Sequence, residues 1–159
     1  MLQHHDRLVR RSAIALLTAM GAKDPESIKA LHRILSQNNP QLAVEAAIGI
    51  VKLKPDEADD LFPFLKEQLA SHNPMIIRLI TNSIEFLGDK TVEFLDQLMD
   101  LLDYETVAEN AALAILRITG DDKHARQIAD RWRRSDDVVQ NIAASELEQE
   151  IDGILVGWV

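Results

Sequence analysis

Residues 61–88 read LFPFLKEQLASHNPMIIRLITNSIEFLG, and the apolar residues of this stretch recur every three or four positions. That spacing places them on one face of an α-helix. The pattern predicts a first helix over residues 61–69, a tight turn at residues 71–74 and a second helix over residues 76–88. The same arrangement occurs before and after this stretch, so residues 61–88 set the period of the chain.

Four second helices share one face pattern. Their closing residues stand at positions 20, 53, 87 and 118, which are 33, 34 and 31 residues apart. Apolar or small residues stand eleven, seven, four and three positions before each closing residue. In chain order the four sets are Val9, Ala13, Leu16, Leu17 and Met20; Leu42, Ala46, Gly49, Ile50 and Leu53; Ile76, Ile80, Ser83, Ile84 and Leu87; and Val107, Ala111, Ala114, Ile115 and Ile118. We call each set a repeat face, because these offsets lie on one side of a helix and predict repeats that stack on one another.

A partner helix is expected before three of these second helices. The first spans residues 25–37, where Asp24 is a good N-cap and Pro25 suits the first helical position. The other predicted elements are a turn at residues 38–40 and partner helices over residues 57–70 and 91–103.

The segment LFPFL at residues 61–65, with the closing Leu-Gly at residues 87–88, resembles a HEAT repeat. The segment VRRSA at residues 9–13 is similar to the second helix of that family. Three features depart from the family pattern. Pro63 has no counterpart in the other first helices, and Lys54 replaces the closing glycine. The arginine that follows Val9 becomes Ala43 and Ala108 in two other repeats. The resemblance implies an all-α fold, an armadillo-like α-α superhelix or right-handed solenoid of about four to five HEAT-like helix pairs.

We expect a single HEAT-like repeat domain over residues 1–159. Its expected parts are a half repeat (1–21), three repeats (24–54, 56–88 and 90–120), a degenerate C-terminal cap (121–151, with helices over 122–134 and 137–151) and an apolar tail (152–159). The first repeat begins at its second helix. Either the chain starts with a half-repeat that acts as a cap, or the chain is a segment of a longer solenoid.

Composition narrows the function classes. The 159 residues include 26 acidic and 17 basic side chains, for a net charge of −9, and no cysteine. Such an acidic chain is a poor ligand for nucleic acid. The N-terminal residues contain no apolar signal-peptide core, and no uncharged run approaches the ~20 residues that span a bilayer. The sequence therefore predicts a cytoplasmic protein without a membrane or nucleic-acid partner.

Motifs for catalysis are missing from the sequence, which contains no His-Glu-x-x-His, Gly-x-Ser-x-Gly or P-loop pattern. The adjacent His4 and His5 point apart on a helix or turn, so they make a poor metal site. The acidic pairs at residues 59–60, 121–122 and 136–137 stand near helix starts, where they suit capping. We therefore expect no enzyme activity, no cofactor and no metal.

The leading candidate site is the surface of the second helices opposite the repeat face, which lines the concave side of a HEAT superhelix. An apolar groove interrupted by a polar rung at the third repeat would receive a partner helix or peptide. The alternatives are that neighbouring helices bury these residues, or that the C-terminal tail or a second copy of the chain fills the groove. The candidate residues are Arg11, Ile14, Val44, Ile48, Val51, Arg78, Asn82, Glu85, Leu113 and Leu116.

A secondary patch surrounds Trp132, Arg133 and Arg134, with Trp158 in the tail. Residues 123–134 hold five basic residues and one acid, whereas residues 135–159 hold six acids and no base. The patch either docks an acidic partner with Trp132 as its anchor, or pairs with the acidic last helix while Trp132 joins the core.

These observations favour a non-catalytic scaffold that binds a protein or peptide, with homo-oligomers possible through the groove or the tail. One alternative is a regulatory or accessory HEAT domain that acts in cis on a larger enzyme or transporter. A second is a HEAT-like protein of the small-molecule or chromophore lyase type.

Overall fold

The computed structural model describes residues 7–157, and within that range the chain is all-α, with helices and turns but no strand. The chain divides into two compact units, Met1–Lys90 (unit 1) and Thr91–Val159 (unit 2). Unit 1 contains α1 (Arg7–Ala19), α2 (Pro25–Leu35), α3 (Pro40–Leu53), α4 (Ala58–Leu69), α5 (Pro74–Thr81) and α6 (Ile84–Leu87), with a 3-10 turn at Pro55–Glu57. A 3-10 helix at Asp89–Phe94 leads to α7 (Leu95–Leu101), α8 (Ala108–Thr119), α9 (Lys123–Arg133) and α10 (Val138–Val156).

Side-chain caps followed by proline start three of the helices in unit 1. Asp24 accepts a hydrogen bond from the Ser27 amide before α2, Asn39 accepts from the Leu42 amide before α3, and Asn73 accepts from the Met75 amide before α5. In each case proline follows at the first helical position, where a missing N–H costs nothing. The predicted cap at Asp24 and the predicted turns at residues 38–40 and 71–74 are therefore confirmed.

The acidic pairs lie at helix starts, as the sequence indicates. Asp137 accepts a hydrogen bond of 2.8 Å from the Val139 amide before α10, and Asp121 accepts one of 3.0 Å from the Lys123 amide before α9. Asp59 and Asp60 stand in the first turn of α4 without a side-chain cap bond. Their negative charges there still interact favourably with the positive end of the helix dipole.

The helix α3 is the centre of unit 1. It packs against α1, α2, α4, α5 and α6, and nine of its 14 residues are buried. Because neighbours surround it on most sides, only a narrow strip of α3 reaches solvent. This central position decides which of its side chains can form a surface site.

The second helix of the third repeat is broken, which corrects the prediction of one helix over residues 76–88. The helix α5 ends at Thr81, and α6 begins at Ile84. The Thr81 hydroxyl donates to the Ile77 carbonyl at 2.9 Å, and the Ser83 hydroxyl donates to the Leu79 carbonyl at 2.8 Å. Hydroxyls that bond a carbonyl four residues back compete with the helix ladder and bend it. The Ser83 amide accordingly bonds the nearer Ile80 carbonyl.

Two further boundaries differ from the sequence prediction. The helix expected over residues 91–103 forms as the 3-10 helix Asp89–Phe94 followed by the shorter α7. The helix expected to end at residue 151 continues to Val156, so most of the predicted apolar tail belongs to α10. Ile154 and Leu155 are partly buried against the core of unit 2, and this packing extends the helix.

Candidate functional site

A groove of about 300 Å³ lies in unit 1, where α1, α3 and α5 meet, and its wall continues past the end of α5. We call it the unit 1 groove. Its lining residues are Arg11, Ile14, Ala15, Thr18 and Ala19 from α1; Glu45, Ile48, Gly49 and Lys52 from α3; and Leu79 and Ser83. The contributions from α1 and α3 recur at three- and four-residue spacing, so each helix presents one continuous strip to the groove.

Gly49 forms part of the floor of the groove and allows α1 to approach α3 closely. A Cβ at this position would lie 2.8 Å from the Thr18 Oγ1, and 3.8 and 3.9 Å from side-chain atoms of Ile14 and Leu31. The Thr18 hydroxyl itself donates to the Ile14 carbonyl at 2.9 Å, which holds it in place. The small residue predicted at this point of the repeat face is therefore required by the close contact between the two helices.

One end of the groove carries an ion pair. The Arg11 Nε lies 2.8 Å from the Glu45 Oε1, and the Glu45 side chain is only 10% exposed. Burial raises the pKa of the Glu45 carboxyl from its ordinary value of 4.5, although the charge of Arg11 opposes that rise. Loss of hydration disfavours the charged form of a buried carboxyl, which explains the direction. At this end of the groove the Glu45 carboxylate is therefore poorly hydrated and paired with Arg11, whose guanidinium is exposed.

The other end carries a cation. The Lys52 Nζ lies 3.8 Å from the centroid of the Phe86 ring, within the range of a cation–π contact. Phe86 is 48% exposed, so the ring also adds apolar surface beside the groove. Between the two charged ends the groove is lined by small and aliphatic side chains, namely Ile14, Ala15 and Ile48. The groove thus joins an apolar middle to two charged ends.

The structure brings three predicted site residues, Arg11, Ile14 and Ile48, together in this groove, and of these the Ile14 side chain is only 3% exposed. It places two others, Val44 and Val51, in the core at 0% and 2% exposure. Their location corrects their assignment to an open surface, and the reason is that α3 is enclosed by its neighbours. On α3 the strip that faces the groove is shifted by one residue from the expected one.

The polar rung of the third repeat is exposed but does not line the groove. Arg78, Asn82 and Glu85 are all on the surface of unit 1, and the adjacent Leu79 and Ser83 line the groove instead. The shift by one residue found on α3 therefore also occurs here.

The two candidates from the fourth repeat belong to the core of unit 2. Leu113 and Leu116 are 4% and 0% exposed, and they pack in one cluster with Ile128, Leu147 and Ile151 from α9 and α10. This burial corrects their assignment to an open groove. The alternative that neighbouring helices cover these positions agrees with the structure.

The basic helix α9 pairs with the acidic α10. The Arg133 guanidinium makes two hydrogen bonds to the Glu148 carboxylate, and Arg126 bonds Asp152 at 3.1 Å. Trp132 is half-buried against the unit 2 core, whereas Arg134 is exposed. These contacts match the alternative in which the basic patch serves α10 and Trp132 joins the core. Trp158 lies outside the described residues.

A second depression of about 430 Å³ lies beside the start of α2 and the end of α3. His32 Nε2 is 2.7 Å from the Glu57 Oε2, and Lys54 pairs with the other oxygen of Glu57. The hydrogen bond from Lys54 is the main cause that lowers the pKa of the Glu57 carboxyl from its ordinary value. The three side chains bond to one another and tie α2 to the turn after α3.

Sequence reasoning missed the groove residues Glu45, Gly49, Lys52 and Leu79. A signal for three of them was present, because Glu45 and Lys52 are the only charged residues of α3 and stand seven positions apart. Two charges at that spacing mark the strip of an otherwise apolar helix that meets water, and Gly49 lies between them.

No family model matches the sequence, and neither the curated proteins nor the solved structures give a match. Within residues 7–157, every helix is too short or too polar to cross a bilayer. In the same range no three His, Asp or Glu side chains gather as a set of metal ligands.

Proposed function

We propose that this chain is a non-catalytic binding scaffold of the HEAT-like type, and that the unit 1 groove receives a helix or peptide segment of another protein. The observation that carries the proposal is the groove itself, in which an apolar strip lies between the Arg11–Glu45 pair and Lys52. Sites of this kind gain affinity from apolar side chains and gain orientation from a few placed charges.

The size of the groove limits the occupant. About 300 Å³ is at the small end of ligand sites, so the groove has room for a few side chains and not for a whole folded domain. An aliphatic side chain suits the middle, where Ala15 and Ile48 leave space. A carboxylate on the same segment suits Lys52, because Lys52 has no acidic partner among the lining residues at its end. The proposed partner segment is therefore apolar with an acidic flank.

The repeated architecture supports the HEAT-like part of the proposal. Successive helices pack as the pairs α2 with α3, α4 with α5, α7 with α8 and α9 with α10. Glycines at positions 21, 88 and 120 have φ values of 66°, 74° and 73°, and each follows the end of a second helix. Glycine adopts a positive φ without the strain that other residues meet, so a glycine with positive φ follows three of the four repeat faces.

Peptide selection tests the groove. A displayed library of random 16-residue peptides is selected on the wild-type chain, and the recovered peptides are measured against Ala15→Trp by fluorescence anisotropy. Ala15 is exposed and lines the groove, so the indole ring fills the space without entering the core. We expect at least a tenfold loss of affinity.

Ser12→Trp is the matched control, because Ser12 is an exposed residue of the same helix that does not line the groove. The control variant should bind the selected peptides as the wild type does. Equal affinity for the wild type and Ala15→Trp, or failure to recover any peptide, would exclude the groove as a binding site.

A further inference from the structure

The net negative charge of the chain belongs to unit 2. Residues 1–90 hold 11 acidic and 11 basic residues, whereas residues 91–159 hold 15 acidic and 6 basic residues. The whole net charge of −9 therefore comes from unit 2. Its bases all stand between positions 117 and 134, so residues 91–116 contain six acids and no base. A charge distribution as one-sided as this attracts ligands of the opposite sign.

The acids of α10 are largely neutralised within unit 2. Three of its four carboxylates bond arginines of α8 and α9. The pairs are Arg117–Glu150 at 2.7 Å, Arg126–Asp152 at 3.1 Å and Arg133–Glu148. These contacts use three of the six bases of unit 2. The charge of α10 is therefore offset by its own neighbours.

The acids of α7 lack such partners. We call Glu93, Asp96, Asp100 and Asp103 the α7 acidic stripe, because all four are exposed and they recur every three or four residues. Within residues 7–157 none of the four forms an ion pair. The helix that packs on α7 is α8, whose charged residues are Glu109 and Arg117, and Arg117 is bonded to Glu150. The stripe therefore presents four carboxylates to solvent without a neutralising base.

The charges of the stripe disfavour the helix that carries them. Asp100 stands four residues after Asp96 and three before Asp103, and like charges at these spacings repel each other on a helix. Asp100 also lies in the last turn of α7 and Asp103 follows its end, where the helix dipole is negative. Side chains that cost stability without a compensating contact are typical of functional surfaces. A partner therefore explains the stripe better than the fold does.

Exposed apolar side chains lie beside the stripe. Met99 stands three residues after Asp96 and four before Asp103, which places it on the same side of α7, and it is 44% exposed. Val92, four residues before Asp96, is 55% exposed. The buried side of the helix carries a different set, namely Phe94, Leu98 and Leu101. An occupant of the exposed surface therefore needs apolar side chains as well as positive charge.

The contact between α9 and α10 shows what kind of helix suits such a surface. Arg126 and Arg133 stand seven residues apart on α9, and they bond two acids of α10 that stand four residues apart. Between the two arginines, Ile128 and Trp132 lie against the core of unit 2. An amphipathic helix with bases beside its apolar stripe thus already packs against acidic residues in this chain.

We propose that the exposed surface of α7, formed by the α7 acidic stripe together with Val92 and Met99, docks a basic amphipathic helix of another polypeptide. Aliphatic side chains of that helix cover Val92 and Met99, and its lysines or arginines bond the carboxylates of the stripe. This surface belongs to unit 2 and the groove belongs to unit 1, so different variants test the two proposals.

The test uses a synthetic probe and the full chain, with binding read by fluorescence anisotropy. The probe is a fluorescein-labelled, end-capped 15-residue helix of leucine, alanine and arginine, in which arginines flank one leucine stripe. We expect saturable binding that weakens at least tenfold in Asp100→Asn/Asp103→Asn and weakens as NaCl is raised from 50 to 500 mM. The same variant should unfold at a higher urea concentration than the wild type, because repulsion within the stripe is reduced.

Asp136→Asn/Glu146→Gln is the matched charge control. It removes two exposed carboxylates of unit 2 that lie outside the stripe, so its net charge equals that of Asp100→Asn/Asp103→Asn. It should bind the probe within about twofold of the wild type, since exposed charges away from the contact are screened by salt. Equal losses in the two variants would show attraction to the net charge alone and would refute a defined docking surface.

A second pair of variants tests the apolar part of the surface. Val92→Gln/Met99→Gln should weaken binding at least tenfold, whereas Val139→Gln/Ile142→Gln, which changes two residues of α10 that are 72% and 56% exposed, should not. All four side chains are exposed, so the core stays intact, and circular dichroism checks this.

The proposal is overturned if the wild type does not bind at 1 mM probe, or if Val92→Gln/Met99→Gln binds as the wild type does. Self-association of the wild type that is lost in Asp100→Asn/Asp103→Asn would identify a second copy of the chain as the occupant, and would also overturn it.

Discussion

Replacing Gly49 by alanine tests how closely α1 and α3 pack beneath the groove. The new Cβ would lie 2.8 Å from the Thr18 Oγ1, whereas ordinary contacts begin at 3.4 Å, so the hydroxyl must retreat by about 0.6 Å. Its hydrogen bond to the Ile14 carbonyl opposes that movement. Overpacking of this kind costs about 1 to 3 kcal/mol, and alanine returns only about 1 kcal/mol through its better helix propensity. We expect Gly49→Ala to lower the free energy of unfolding by about 1 kcal/mol.

The effect of Gly49→Ala on the free energy of unfolding should change sign when Thr18 is shortened. In Thr18→Ala the nearest remaining atoms, on Ile14 and Leu31, are 3.8 and 3.9 Å from the new Cβ, which is ordinary contact. Gly49→Ala in that background should therefore raise the free energy of unfolding by about 1 kcal/mol. The two values imply a coupling of about 2 kcal/mol between positions 18 and 49. Thr18→Val keeps the bulk without the hydrogen bond, so it should leave Gly49→Ala unfavourable.

Urea titrations followed by circular dichroism at 222 nm measure these values. Both tryptophans and the single tyrosine belong to residues 91–159, so intrinsic fluorescence follows unit 2 and serves as an internal reference. Gly153→Ala is the control, because Gly153 lies within α10 and a Cβ there meets nothing within 4 Å. It should stabilise by up to about 1 kcal/mol. Equal effects of Gly49→Ala in the wild type and in Thr18→Ala would refute the proposed contact.

Three further outcomes are expected. Leu113→Asp should unfold unit 2, seen as loss of the cooperative fluorescence transition, because a lone carboxylate would replace a side chain that is 4% exposed; a folded variant would place this residue outside the core. Lys54 holds the pKa of the Glu57 carboxyl below its ordinary 4.5, so the carboxylate stabilises the fold above that pH and the contribution is lost as the pH falls. Glu57→Gln should thus lower the free energy of unfolding by about 0.5 to 1 kcal/mol at pH 7, with a difference that narrows below pH 4.5 in urea titrations, and a constant difference would contradict this origin. Arg133→Glu and Glu148→Arg should each destabilise by about 0.5 to 1 kcal/mol, and the double exchange should recover most of the loss in thermal melts; strictly additive losses would show that the pair contributes nothing.

Local signals in the sequence predicted much of the secondary structure. The caps at Asp24, Asn39 and Asn73 accept hydrogen bonds from amides two or three residues later. Each cap and its partner can therefore be read from one short stretch of sequence. The repeat face likewise reports burial by a sequence neighbour, and its positions on α3 are buried. Interactions of this short range need no knowledge of the tertiary structure.

The site depended on packing that periodicity does not reveal. Val44 and Ile48 both stand opposite the repeat face in the sequence, yet only Ile48 reaches the groove, because several neighbours enclose α3. The break after Thr81 escaped prediction for a different reason. Whether a hydroxyl bonds its own helix depends on its rotamer, and apolar spacing carries no information about rotamers.

The break between α5 and α6 makes one wall of the unit 1 groove less regular than the wall formed by α3. The α3 wall belongs to a continuous helix that packs against five neighbouring helices, and this packing opposes bending. The opposite wall runs through Leu79 and Ser83, and beyond Ser83 only the four residues of α6 continue it. The Ser83 amide bonds the Ile80 carbonyl instead of one four residues back, so this wall has fewer α-helical hydrogen bonds than the α3 wall, although Thr81 and Ile84 are buried. The amide protons of residues 82–84 should therefore exchange with solvent before those of α3.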